Sequence, residues 1–168
     1  MPEKPRSMHP LDPHTSAIGL SRYAIEFLMV AKAAWTNSRP KGGAGFESAS
    51  VAILYLLGHA LELSIKSFLL HRRVPTQQLR EKLGHDLAKC LARARKLGFD
   101  RMVFELTARE LEEFQHLHEL YSRKELEYAI GGERRIPRHS VVEAMAERVV
   151  FEVARLVARR PVQPKLPT

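Results

Sequence analysis

Val51–Leu70 reads VAILYLLGHALELSIKSFLL. It is apolar on nearly every side and free of proline, so it is expected to form a helix at the centre of a bundle. Three ionisable residues interrupt it: His59, Glu62 and Lys66. With Tyr55 they are spaced by 4, 3 and 4, which at 3.6 residues per turn puts all four on one face. A buried ionisable group costs several kcal/mol unless it is paired. The ridge must therefore be paired internally or line a groove that reaches water. Glu62 and Lys66 form an i,i+4 pair with the glutamate first, worth roughly 0.2–0.5 kcal/mol when exposed, and His59 then reads as a satisfied core histidine. Alternatively the ridge is a polar cleft for a phosphate, a nucleotide or an RNA backbone, with Lys66 as the cation. The spacing leaves both open. Because the same residues break the apolar run, no segment is expected to reach the roughly 18–20 residues of a membrane span.

Outward from this helix, proline punctuates the chain at 2, 5, 10, 13, 40, 75, 137, 161, 164 and 167. Between Pro13 and Pro161 it leaves long intervals that permit helices. Residues 1–12 and 161–168 read as a flexible N-terminus and a Pro-rich tail, with a bundle between them over 13–160. The first interval has a helical apolar stripe at Leu20, Tyr23, Ala24, Phe27, Leu28, Ala31, Ala34 and Trp35. Asp12 and Pro13 are its expected N-cap and first residue. RPKGGAG (Arg39–Gly45) ends it, and the central helix is expected from about Glu47 to His71. A short helix over QQLREKL should follow.

Asp86 is placed to cap a third long helix that ends near Lys96 and Gly98. Thr107 and Glu110 form a capping box, flanked by Leu106 and Leu111 as a hydrophobic staple, for a fourth helix to about Tyr121. Ser140 and Glu143 make a second box for a last helix reaching Leu156 and Val157. The expected fold is an all-α up-and-down bundle of about five main helices plus short ones.

At 168 residues the chain is long enough for one core, and 45% apolar with 27% charged residues is ordinary for a globular protein. No apolar stretch near the N-terminus resembles a secretory signal, so a cytoplasmic, bacterial-type setting is expected. The lone Cys90 excludes an internal disulfide or a cysteine metal cluster. A net charge of +8, from 18 arginines and 9 lysines against 19 acidic residues, permits a polyanionic partner. An arginine-rich proteome gives the same count.

With GHALELSIKSFLL (Gly58–Leu70) followed by LGHDLAKCL (Leu83–Leu91), the chain resembles the HEPN superfamily of helical domains. Glu62 and Lys66 stand at that family's acidic residue and lysine. His85, Asp86 and Leu87 stand at its His-Asp-Leu. Leu117–Ala129, with Tyr121 and Arg123, resembles its tyrosine-bearing helix end followed by a basic residue. The resemblance spans about residues 16–157. It implies a helical bundle, often a homodimer, that includes RNA-cleaving toxins, partners of small nucleotidyltransferases and non-catalytic nucleic-acid-binding members. The resemblance marks Glu62, Lys66, His85, Asp86, Tyr121 and Arg123 as binding residues, and the ridge adds Tyr55 and His59.

Catalytic members carry an arginine and a histidine with four to six residues between them, which activate a 2′-hydroxyl and steady the phosphate charge. Arg80–His85, Arg109–His116 and Arg134–His139 fit that spacing. Composition alone supplies roughly two or three such pairs. The catalytic candidates are thus Arg109, His116, Arg134 and His139, of which Arg109–His116 lies on a helix just before Tyr121.

No metal or cofactor site is expected. His116 and His118 point to different sides of their helix, Glu112 and His116 lack a third ligand, and KGGAG has no following Lys-Ser/Thr. Three readings follow: a module binding RNA, a nucleotide or a protein partner in a defence, toxin–antitoxin or regulatory setting; a metal-independent endoribonuclease; and a structural dimerisation domain. In each, Glu62 is expected within about 10 Å of His85 or Asp86, a distance that a hydrogen-bond relay can bridge.

Overall fold

The computed structural model describes residues 15–38, 50–123 and 135–159. Among these residues it is an all-α bundle of seven α-helices and one π-helical turn. The helices are α1 (Ala17–Ser38), α2 (Val51–His71), α3 (Thr76–Gln78), α4 (Leu87–Lys96), α5 (Phe99–Met102), α6 (Ala108–Ser122) and α7 (His139–Ala158), with the π turn at Leu79–Leu83. Five of the helices are long, as the proline-free intervals imply. No strand occurs among the described residues.

α2 touches α1, α7, α4 and α6 and is the central helix. Leu54, Leu57, Leu61, Ile65, Phe68 and Leu69 are fully buried on it. Burying each such side chain contributes roughly 1.5–3 kcal/mol, so α2 is the main source of packing energy. Ser67 Oγ donates to the Ala17 carbonyl at 2.7 Å while Phe27 meets His59 edge-on, so α1 and α2 are antiparallel. Trp35 stacks on His139 and Lys32 pairs with Glu147, so α7 also runs against α1. Glu110 reaches Arg148 and Glu113 accepts from the Arg138 amide, so α6 runs against α7. The helices α1, α2, α6 and α7 thus go up, down, up and down, with α4 packed alongside.

By length and composition α2 is apolar enough to cross a bilayer, with a best-window mean hydropathy of 1.5. This corrects the expectation that His59, Glu62 and Lys66 keep it below that level. Two thirds of the window, 67%, is buried inside the bundle, as befits a core helix.

Caps hold where the chain chemistry is local. Asp86 accepts from the Lys89 amide at 2.9 Å, and Thr107 and Glu110 make the expected box. Other helix starts differ. α1 begins at Ala17, with Ser16 Oγ accepting from the Gly19 amide at 3.0 Å; Asp12 and Pro13 lie outside the described residues. α2 begins at Val51 with Ser50 as its cap. α7 begins at His139, so Ser140 sits inside the first turn and caps nothing. Its start is set by tertiary contacts: Glu113 holds the Arg138 amide at 2.9 Å, and Trp35 covers His139 at a centroid distance of 3.9 Å. QQLREKL splits into a three-residue helix and the π turn. Flexible ends at 1–12 and 161–168 and the limits of a 13–160 bundle lie outside the described residues.

Candidate functional site

Glu62, only 1% exposed, is the hub of the ridge on α2. Lys66, one turn on, donates to Glu62 Oε1. Tyr121, from the last turn of α6, donates its hydroxyl to Glu62 Oε2 at 2.6 Å. His85, just before α4, has Nδ1 3.0 Å from the same oxygen. The ridge therefore faces the start of the third long helix, at hydrogen-bond distance.

The donors can be assigned from the network. An ionised carboxylate only accepts, so the Tyr121 proton and a proton on His85 Nδ1 both point at Glu62. His59 Nδ1 lies 2.9 Å from the Tyr121 hydroxyl, whose own proton is committed, so His59 Nδ1–H donates to that oxygen. Both imidazoles then turn Nε2 away from the carboxylate. The His85 side chain is 66% exposed.

Burial pushes the Glu62 carboxyl up, but the His59 imidazole 3.8 Å away, the charge and hydrogen bond of Lys66, and the Tyr121 hydroxyl outweigh it. They hold the group well below the usual carboxylate range. Glu62 is thus a fixed anion at neutral pH, and it takes up the Lys66 charge. Lys66 is paired with Glu62, as the internal-pair reading of the ridge has it. Nearby Cys90 is buried, and its thiol is pushed up to about 12, chiefly by desolvation, so it is inert as a nucleophile.

Aromatic rings wall the hub. Phe27 from α1 meets His59 edge-on at 4.5 Å, and Tyr55 lies 5.6 Å from the Tyr121 ring and 6.1 Å from His59. Gly58 makes room for this arrangement: a Cβ there would lie 2.7 Å from Tyr121 Cδ2. A residue one turn before Glu62 must lack a side chain for Tyr121 to reach the carboxylate.

His85 is aimed by its local backbone. The π turn ends at Gly84, whose φ of 50° and ψ of −132° few side-chain-bearing residues adopt. Ser122 Oγ donates to the His85 carbonyl at 3.4 Å and lies 2.7 Å from His118 Nδ1. Asp86 does not join Glu62. It caps α4 and pairs with Lys89, 3.0 Å away. Burial works against its ionisation, but the Lys89 bonds and His118 prevail and lower its pKa. Arg123, next to Ser122, is exposed and makes no ion pair among the described residues.

The candidate pairs fare differently. Arg109 is exposed near the start of α6. His116 is largely covered, with Nδ1 3.6 Å from the buried Glu113. His139 is 2% exposed, stacked on Trp35, with Nε2 3.1 Å from Glu143. That burial takes His139 out of reach of any RNA, a correction to its place among the catalytic candidates. Arg134 lies outside the described residues. His116 and His139 lie beside Glu113 and Glu143, not at the Glu62 hub. Sequence reasoning missed Gly58, Phe27, His118 and Ser122 as parts of the site. Only Gly58 left a signal, as a glycine in the interior of an otherwise strong helix.

No metal-binding group occurs among the described residues. The chain matches no family model, no curated protein and no solved structure with which it was compared. The HEPN resemblance therefore rests on the motifs themselves. What the geometry adds is that Glu62, Lys66, His85 and Tyr121, drawn from three parts of the chain, meet at one carboxylate.

Proposed function

We propose that the chain is a HEPN-like helical module that binds RNA through the surface around His85. The observation that carries this reading is an exposed imidazole held at Nδ1 by a buried, ionised carboxylate. Such a ring has a fixed direction without being covered, and on either protonation state Nε2 is turned away from Glu62. Arg80 and Lys82 are exposed on the π turn just before it, Lys89 is exposed one turn into α4, and Arg123 follows Ser122. Of these, Lys82 and Arg123 make no ion pair among the described residues, while Arg80 and Lys89 share theirs with Glu81 and Asp86 at the surface; they supply phosphate contacts that Lys66, paired to the buried Glu62, does not. In this reading Glu62, Lys66, His59 and Tyr121 are a clasp that builds the surface and do not touch the ligand.

The test is a gel shift with mixed RNA at several salt concentrations. Binding at low salt that weakens as salt rises is expected, and it should fall in His85→Ala and Arg123→Ala variants. No shift at low salt would overturn the reading and leave a structural dimerisation domain ahead.

One observation favours a second reading, an endoribonuclease. A carboxylate that orients an imidazole, with Nε2 turned away from it, is also the arrangement of a general base. Incubation of concentrated protein with RNA separates the two. Cleavage lost in His85→Ala and kept in His116→Ala and His139→Ala would establish the enzyme; intact RNA that is nonetheless shifted would establish the binding module.

A further inference from the structure

Most of the chain's positive charge sits on one flank. Residues 72–101 run from the end of α2 through the π turn, α4 and α5. They hold nine basic and three acidic residues, a net +6 of the +8 that the whole chain carries. α6, packed beside α4, has one arginine against four glutamates, and α7 has two arginines against three glutamates. α4 is the most basic element of the flank, with Lys89, Arg93, Arg95 and Lys96 and no acidic residue. It buries Leu87, Cys90, Leu91 and Ala94. At 3.6 residues per turn the opposite side is Lys89, Ala92, Arg93 and Lys96, all exposed. Lys89 pairs with Asp86 at 3.0 Å, while Arg93 and Lys96 make no ion pair among the described residues.

This face offers donors only. It has no amide or hydroxyl side chain to tell one base edge from another, so it suits phosphate oxygens. It has no ring either. The two aromatic residues among the exposed large hydrophobics, Tyr23 and Phe151, stand on α1 and α7, so α4 gives the bases of a single strand nothing to stack on. From Lys89 to Lys96 the helix rises about 10 Å. Along that length one strand of a duplex presents about three phosphates, opposite three cations.

We infer that the outward face of α4 binds paired RNA along its phosphates, without regard to sequence. This choice of substrate class rests on the reading that the chain binds RNA around His85, which stands immediately before the α4 cap. A duplex packs phosphates more densely than a single strand and holds them at fixed spacing, which matches cations fixed on one rigid helix. The acidic α6 beside α4 repels a polyanion and confines it to the basic flank.

The test is fluorescence anisotropy over a salt series, with a labelled 20-base-pair RNA duplex of arbitrary sequence and with one of its strands alone, chosen to be unstructured. The duplex should bind about tenfold or more tighter than the strand, and a duplex of shuffled sequence should bind equally well. Arg93→Ala/Lys96→Ala should lower the slope of log affinity against log salt for the duplex by about 2. Arg22→Ala/Arg155→Ala removes as much charge from exposed positions on α1 and α7 and should leave that slope unchanged. All four positions are exposed and alanine favours a helix, so circular dichroism should show both variants folded. A single strand held as tightly as the duplex would overturn the inference and leave the reading around His85 standing. So would a duplex indifferent to Arg93→Ala/Lys96→Ala, or one weakened equally by the α1 and α7 variant. Failure of the wild-type chain to bind either RNA at low salt would overturn both.

Discussion

Glu62 decides most of what the residue scale has to offer. Its folded pKa is depressed, so it stabilises the fold above its unfolded pKa of about 4.5, and that contribution is lost as pH falls from there toward the folded value. Denaturant midpoints of the wild-type chain should therefore fall steeply below about pH 4.5. Glu62→Gln should cost about 3 kcal/mol at neutral pH, because Lys66 and two imidazoles lose their anion, and its stability should vary less over the acid range. Equal acid sensitivity in both proteins would contradict the clasp. The imidazoles give a second check. Nitrogen NMR of the neutral rings should find His59 and His85 protonated on Nδ1, and a neutral His85 protonated on Nε2 would break the network as assigned. The residue types of this site were legible in the chain, because the 4-3-4 spacing put Tyr55, His59, Glu62 and Lys66 on one face. Their partners were not. Tyr121 lies 59 residues from Glu62, and no local rule fixes which oxygen it meets.

At the scale of elements, helix ends separate local chemistry from tertiary control. Thr107→Ala removes a cap whose hydroxyl accepts from the Glu110 amide, and it should cost about 1 kcal/mol in thermal or urea unfolding. Ser140→Ala should be nearly neutral, although Ser140 and Glu143 show the same spacing, because Ser140 lies within α7 and is exposed. Gly58→Ala tests the packing of α6 on α2. In an exposed helix the change stabilises by roughly 1 kcal/mol. Here the new Cβ would meet the Tyr121 ring at 2.7 Å, so a net loss of about 1–3 kcal/mol is expected, with a weakened Tyr121–Glu62 bond. Stabilisation by Gly58→Ala would show that Tyr121 is free to move aside.

For the whole molecule, the charge of +8 has a measurable consequence. If Arg123 neutralises one phosphate, Arg123→Ala should lower the slope of log affinity against log salt by about 1, for every RNA sequence alike. An unchanged slope would remove Arg123 from the interface. The clasp also links three elements that are far apart in sequence: α2, the start of α4 and the end of α6. It holds the groups around His85 in a fixed relation, which is how a buried carboxylate shapes a surface that it does not touch.

Local patterns alone determined the all-α class, the central place of Val51–Leu70, the polar ridge and the caps at Asp86 and Thr107. These follow from helical periodicity and from side chains that reach no further than their own turn. Only the tertiary structure decided that Glu62 is shared by Lys66, His85 and Tyr121, that Lys66 is not a free cation and that His139 is buried beneath Trp35. It also moved the start of α7 to His139 and gave Gly58 its reason. Each of these depends on two segments meeting in space. A sequence records the residues that can pair, and the packing of the helices selects which of them do.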